Sequence, residues 1–222
     1  MNDADTQNAL AYAIRKGDML AIARLLNTGA NINGYNSWGY TPLMEAARTG
    51  QTGIARLLLG LGADTNLPCR NAINLPYRNA DFPAIYYAAV GGHTRTFRLL
   101  IDSGANLEHR CIGLKTPLIV AAHEDSASAV NLLIEGGADI NARDRISITP
   151  LIAGAISNNA AAVHSLLNAG AEVNAQDDRG KTALMWATIN GNTHIARALF
   201  RAMATRPVRV HPPDSSTRRQ AF

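Results

Sequence analysis

The chain has 222 residues, of which 47% are hydrophobic, 5% aromatic and 17% charged. That apolar content suffices for a buried core and excludes a wholly disordered chain, and no apolar run approaches the roughly 20 residues a membrane-spanning helix needs. The formal net charge is +4, but residues 205–222 alone carry +3, so the basicity marks a tail and not a nucleic-acid-binding face. The 38 alanines and few aromatics favour close-packed helices over a β-sandwich. The opening Met1-Asn2-Asp3-Ala4-Asp5 is acidic and polar, unlike a secretory leader. Two cysteines make no disulfide framework, so a cytoplasmic chain with free thiols is expected.

Taken in chain order, the sequence repeats itself. A first unit starts near Asn8 and runs through Leu25-Leu26 to Gly29-Ala30 and Asn31-Ile32-Asn33. A second starts at Thr41-Pro42 and carries Ala46-Ala47, Leu57-Leu58-Leu59 and Gly62-Ala63-Asp64. The third starts near Pro83, with Ala88-Ala89 and Leu99-Leu100-Ile101 before Gly104-Ala105. The fourth, fifth and sixth start at Thr116-Pro117, Thr149-Pro150 and Thr182-Ala183. Gly-Ala recurs in steps of 33, 42, 33 and 33, so the unit is 33 residues with one nine-residue insertion inside 67–82. Each unit reads as two short helices. Thr caps the first, because its hydroxyl accepts an otherwise unpaired backbone N–H, and Pro suits the first helical position. The Gly after each Leu cluster suits a left-handed helix terminus. One such pair cannot bury its own apolar face, so the fold class expected is an all-α solenoid of about six stacked helix–turn–helix units.

Thr-Pro-Leu-x-x-Ala-Ala, then Leu-Leu, then Gly-Ala-Asp-x-Asn at this period resembles the ankyrin repeat. The resemblance covers roughly residues 8–204 and implies an ankyrin domain over 1–204, with β-hairpin-like turns and a basic, Pro/Ser-containing tail over 205–222. The family's usual His, three residues after Thr, is replaced by Ala11, Met44, Tyr86, Ile119, Ile152 and Met185. Apolar packing is expected to replace the hydrogen bonds that His makes. The first and last units read as terminal caps.

The resemblance also implies a concave contact face built from turn tips and the ends of the first helices. The partner-binding residues expected on it are Trp38, Tyr40, Arg48, Ile73, Tyr77, Arg78, Phe82, Ile112, Lys115, His123, Arg145, Ile146 and Ile148. Trp38, Tyr40 and Phe82 carry most weight, because aromatic anchors dominate interface energetics. The alternative for Trp38 and Tyr40 is packing on the neighbouring turn. Ile73, Tyr77 and Arg78 lie in the insertion, read as a finger that grips the partner; a neutral insertion is the alternative. Surrounding arginines favour a protein partner with an acidic rim.

Catalytic chemistry has little purchase. The stretch Ala175–Thr182 fits a relaxed phosphate-loop pattern, but it is a repeat turn and carries Asp177 and Asp178, which repel phosphate. The six His are scattered, with no His-Glu-x-x-His and no Cys-x-x-Cys. No catalytic residue, cofactor or metal is therefore expected, nor binding to nucleic acid or membrane, and a monomer is expected. The function expected is a non-catalytic protein–protein interaction module, acting as an inhibitor or immunity-type occluding protein. An adaptor or scaffold bridging two proteins is one alternative, and a nucleotide-dependent enzyme or switch another.

Overall fold

A computed structural model describes residues 3–70, 81–111, 113–124 and 126–205. The described residues hold twelve helices and no strand: α1 (Asp3–Lys16), α2 (Met19–Asn27), α3 (Pro42–Arg48), α4 (Thr52–Gly60), α5 (Ala84–Val90), α6 (Thr94–Asp102), α7 (Pro117–His123), α8 (Ala127–Glu135), α9 (Pro150–Ile156), α10 (Ala160–Asn168), α11 (Ala183–Ile189) and α12 (Thr193–Thr205). They pair in order, and each odd-numbered helix packs on the even-numbered helix that follows it. The first helices form an inner row and the second helices an outer row. The fold is the expected all-α repeat solenoid.

The local reasons are visible residue by residue. The hydroxyls of Thr41, Thr116, Thr149 and Thr182 each accept the backbone N–H three residues on. Pro83 has no side chain that could do so, and α5 lacks that bond. The pairs Ala46-Ala47, Ala88-Ala89 and Ala121-Ala122 are fully buried and let neighbouring helices approach closely. Leu58, Leu100, Leu133 and Leu166 are fully buried from the outer row, each burial worth roughly 1.5–3 kcal/mol. The slot that lacks the family's His is buried in units one to five, through Ala11, Met44, Tyr86, Ile119 and Ile152.

Apolar packing does not replace that His alone. A polar ladder runs from unit to unit: Asn33 Oδ1 accepts Asp64 N–H at 2.9 Å, Asn66 Oδ1 accepts Asn106 N–H at 2.8 Å and Asn141 Oδ1 accepts Glu172 N–H at 2.8 Å. Glu108 fills the same slot with its carboxylate, accepting Asp139 N–H at 2.8 Å. Arg110 donates to the carbonyl of Arg143 at 2.7 Å, and Arg143 donates to that of Gln176 at 2.9 Å. These two guanidiniums clip adjacent turns together.

Candidate functional site: a groove beneath three turn tips

Each turn tip is organised by one residue five places before the helix-capping position. Asn36 Oδ1 accepts the N–H groups of Trp38 and Tyr40, both at 3.0 Å. Asp144 Oδ1 accepts those of Ile146 and Ile148 at 2.9 and 2.8 Å. Asp177 Oδ1 accepts those of Arg179 and Lys181, both at 2.9 Å. The main-chain N–H of the same residue donates to the carbonyl four places on, closing the turn. Between them the backbone turns left-handed: Gly39, Ser147 and Gly180 have φ of 77°, 62° and 71°, and the fourth unit's tip has two such residues, Gly113 and Leu114, at 84° and 59°. Two tips depart from the rule, because Cys69 and Cys111 occupy the organising slot. Neither forms a disulfide, and both are buried. Burial and the nearby Asp81 carboxylate push the Cys111 thiol up to about 11, against the opposing charge of Lys115. Cys69 N–H bonds the carbonyl of Phe82 at 3.2 Å, the bond that closes the other turns.

This turn geometry sorts the sequence-based candidates. The residue three before the cap points out: Trp38 and Ile146 are 44% and 57% exposed, and Arg179 is exposed. The residue one before the cap is half-buried or buried. Phe82 is completely buried, its ring 4.2 Å from that of Tyr86, and offers no surface to a partner. Ile148 is buried as well and contributes to the floor of a groove instead of projecting from the tip. Tyr40 is half-buried, with its ring edge-on to Tyr87 at 5.3 Å. Burial chiefly, with Cys69 and Glu45, raises its hydroxyl above the usual value, against the opposing charge of Arg48. Arg48 pairs with the buried Glu45 at 2.8 Å and lies over the Tyr40 ring. Arg15 stacks on the exposed Trp38 at 4.8 Å. Ile73, Tyr77, Arg78, Ile112 and the tail beyond Thr205 lie outside the described residues.

The remaining candidates converge. Lys115, His123, Ile146 and Ile148 line one open groove of about 330 Å³ beneath the last three turn tips. Arg145 stands on the middle tip, exposed, its backbone N–H bonded to the carbonyl of Gly113 at 2.8 Å. Ile119, Val120 and Ile156 add apolar floor, and Trp186 on α11 closes the far end. Trp186 Nε1–H donates to Asp177 Oδ2 at 2.8 Å, and the Lys181 ammonium lies over its ring at 4.4 Å. Burial alone would raise the Asp177 carboxyl. The N–H groups of Lys181, Trp186 and Arg179 and the Lys181 charge outweigh it and hold the group below the usual carboxylate value. His123 is lowered as well, by burial first and by the Lys115 charge. Sequence reading missed Trp186, because its slot is core in units two to five, where Glu45, Tyr87, Val120 and Ala153 are all buried. Its signal is its place in the sixth unit.

Stacked helix pairs with exposed turn tips over a shallow groove define a repeat solenoid. The model for ankyrin repeats (3 copies) matches residues 1–69, 70–144 and 146–210, and the chain belongs to the ankyrin-repeat family. It is 34% identical over 108 residues to the human "Ankyrin repeat and KH domain-containing protein 1", covering 49% of this chain and 4% of that protein. It is 32% identical over 124 residues to "Ankyrin repeat, SAM and basic leucine zipper domain-containing protein 1" of Notamacropus eugenii, covering 53% and 24%. It is 37% identical over 68 residues to the mouse "2-5A-dependent ribonuclease", covering 30% and 9%. The chain thus spans a quarter or less of each of these relatives. Ankyrin repeats are in general protein–protein interaction modules, and no described helix is long and apolar enough to cross a membrane.

Proposed function

We propose that this chain is a non-catalytic, cytoplasmic binding module whose concave groove holds a protein partner with an acidic rim, and that it acts by occluding the surface it covers. The observation that carries the reading is the convergence of Lys115, His123, Ile146, Ile156 and Trp186 on one groove with an apolar floor, edged by Lys115 and Arg179 and by the carboxylates of Asp144, Asp177 and Asp178. The affinity of such a face concentrates in a few anchors; losing one costs about 2 kcal/mol or more. Affinity capture with the wild-type chain beside Ile146→Asp and Trp186→Ala tests it. Loss of one specific protein band from both variants, with unchanged circular dichroism, is the expected result. A band retained by both places the contact elsewhere.

A second patch supports an adaptor as the alternative. Trp38, Arg15, Tyr40 and Arg48 cluster at the tip of the second unit, far along the array from the groove under the last three tips. A bridging protein loses one partner with Trp38→Ala and another with Ile146→Asp; an occluding one loses the same partner with either or with one alone. Deleting the nine inserted residues weakens binding if the finger grips the partner, and leaves affinity unchanged if the insertion is neutral.

A further inference from the structure

The carboxylates around the groove are all engaged internally. Asp144 Oδ1 holds the N–H groups of Ile146 and Ile148. Asp177 holds those of Arg179 and Lys181 with one oxygen and the Trp186 indole with the other. Asp178 accepts the Ser147 hydroxyl. The cations are placed otherwise. Arg145 and Arg179 are exposed on adjacent tips, and neither has a carboxylate within ion-pair distance among the described residues. Lys115 adds a third positive charge at the opposite end of the same groove. Between them the lining is apolar, from Ile146 through Ile156 to the indole of Trp186. A volume of about 330 Å³ is at the small end of ligand pockets and holds one or two side chains, not a folded domain.

Resting on the binding reading above, we infer that the occupant of this groove is a short extended peptide segment that inserts one bulky apolar side chain against Ile146 and Trp186 and sets carboxylates beside it against Arg145, Arg179 and Lys115. The cations steer an acidic segment and fix its register, and the apolar side chain supplies the anchor. A neutral or basic segment leaves the guanidiniums without counter-charge and is rejected, which gives the groove its selectivity.

Panning a random twelve-residue peptide display library on the full chain tests this, followed by anisotropy titration of the enriched peptides. Enriched sequences should carry Asp or Glu within about two positions of a bulky apolar residue. Ile146→Glu should weaken them at least tenfold, as should the pair Arg145→Glu/Arg179→Glu. These three positions are exposed, so the substitutions leave the fold in place. Replacing the peptide's acids by Lys should restore binding to the charge-reversed variant and abolish it on the wild type. No enrichment, enrichment without acids, or binding indifferent to the groove variants each overturns the inference. Enriched peptides lost instead on Trp38→Ala overturn it too, while leaving the protein-binding reading intact. A protein captured through the groove with no peptide enriched refutes the linear segment and not the function.

Discussion

Replacing Asp177 by Ala isolates the feature that builds the turn tips. The substitution removes an acceptor for two backbone N–H groups at 2.9 Å and for the Trp186 indole at 2.8 Å. Bonds to a charged acceptor contribute about 1.5–3 kcal/mol each when buried. Arg179 is exposed and Lys181 and Trp186 are half-buried, so water recovers part of the loss. The expected destabilisation is about 2–4 kcal/mol, or roughly 5–12 °C in melting temperature for a chain of this length. A repeat array transmits energy only between neighbours, so the loss should be local. Hydrogen exchange should accelerate in α11 and leave α3 unchanged. The pH dependence gives a second check. The folded carboxyl lies below its ordinary 3.8, so its contribution is complete above that value and disappears as pH falls through and below it. Wild type and variant should therefore converge in strong acid. Asp178→Ala, which loses only the Ser147 hydroxyl, is the control and should stay within about 0.5 kcal/mol. A loss at Asp177 no larger than that at Asp178, or acceleration spread evenly along the chain, refutes the reasoning.

Other expectations concern the fourth unit. Cys111→Asn supplies an oxygen where a buried thiol, a weak acceptor, stands in the organising slot; it should add about 1 kcal/mol, read as 2–4 °C in the melting curve. Leu114 is held at φ 59° with its side chain half in solvent, so Leu114→Gly should also gain about 1 kcal/mol in a denaturant titration. His123 titrates below its ordinary 6.5 in the folded chain, so the unfolded chain takes the proton first and stability falls as pH drops through 6.5. His123→Gln should flatten that slope between about pH 5 and 7 in the same assay.

The repeat was legible in the sequence because its signals are local. Thr, Pro, Gly and paired alanines act within one turn of helix, and a 33-residue period puts them in register. The groove was half legible. Lys115, His123 and Ile146 could be placed from the register alone, since they occupy tip and helix-end slots in adjacent units. Phe82 could not, because a turn tip reads as exposed, and its burial comes from packing on Tyr86 in the helix that follows. Trp186 escaped for the opposite reason: its slot is interior in units two to five, where Glu45, Tyr87, Val120 and Ala153 are buried. The unit-to-unit ladder was hidden in the Gly-Ala-Asp-x-Asn signature, where Asn33, Asn66 and Asn141 look like turn formers and act as acceptors for the next unit.

Site-specific photo-crosslinking tests the central claim most directly. A benzophenone side chain introduced at Ile146, on the groove, is compared with one at Arg98, on the outer row of helices, in the same cell extract. The account predicts one protein adduct from position 146, suppressed by excess unlabelled chain, and none from position 98. Adducts from position 98 with none from position 146 would contradict it.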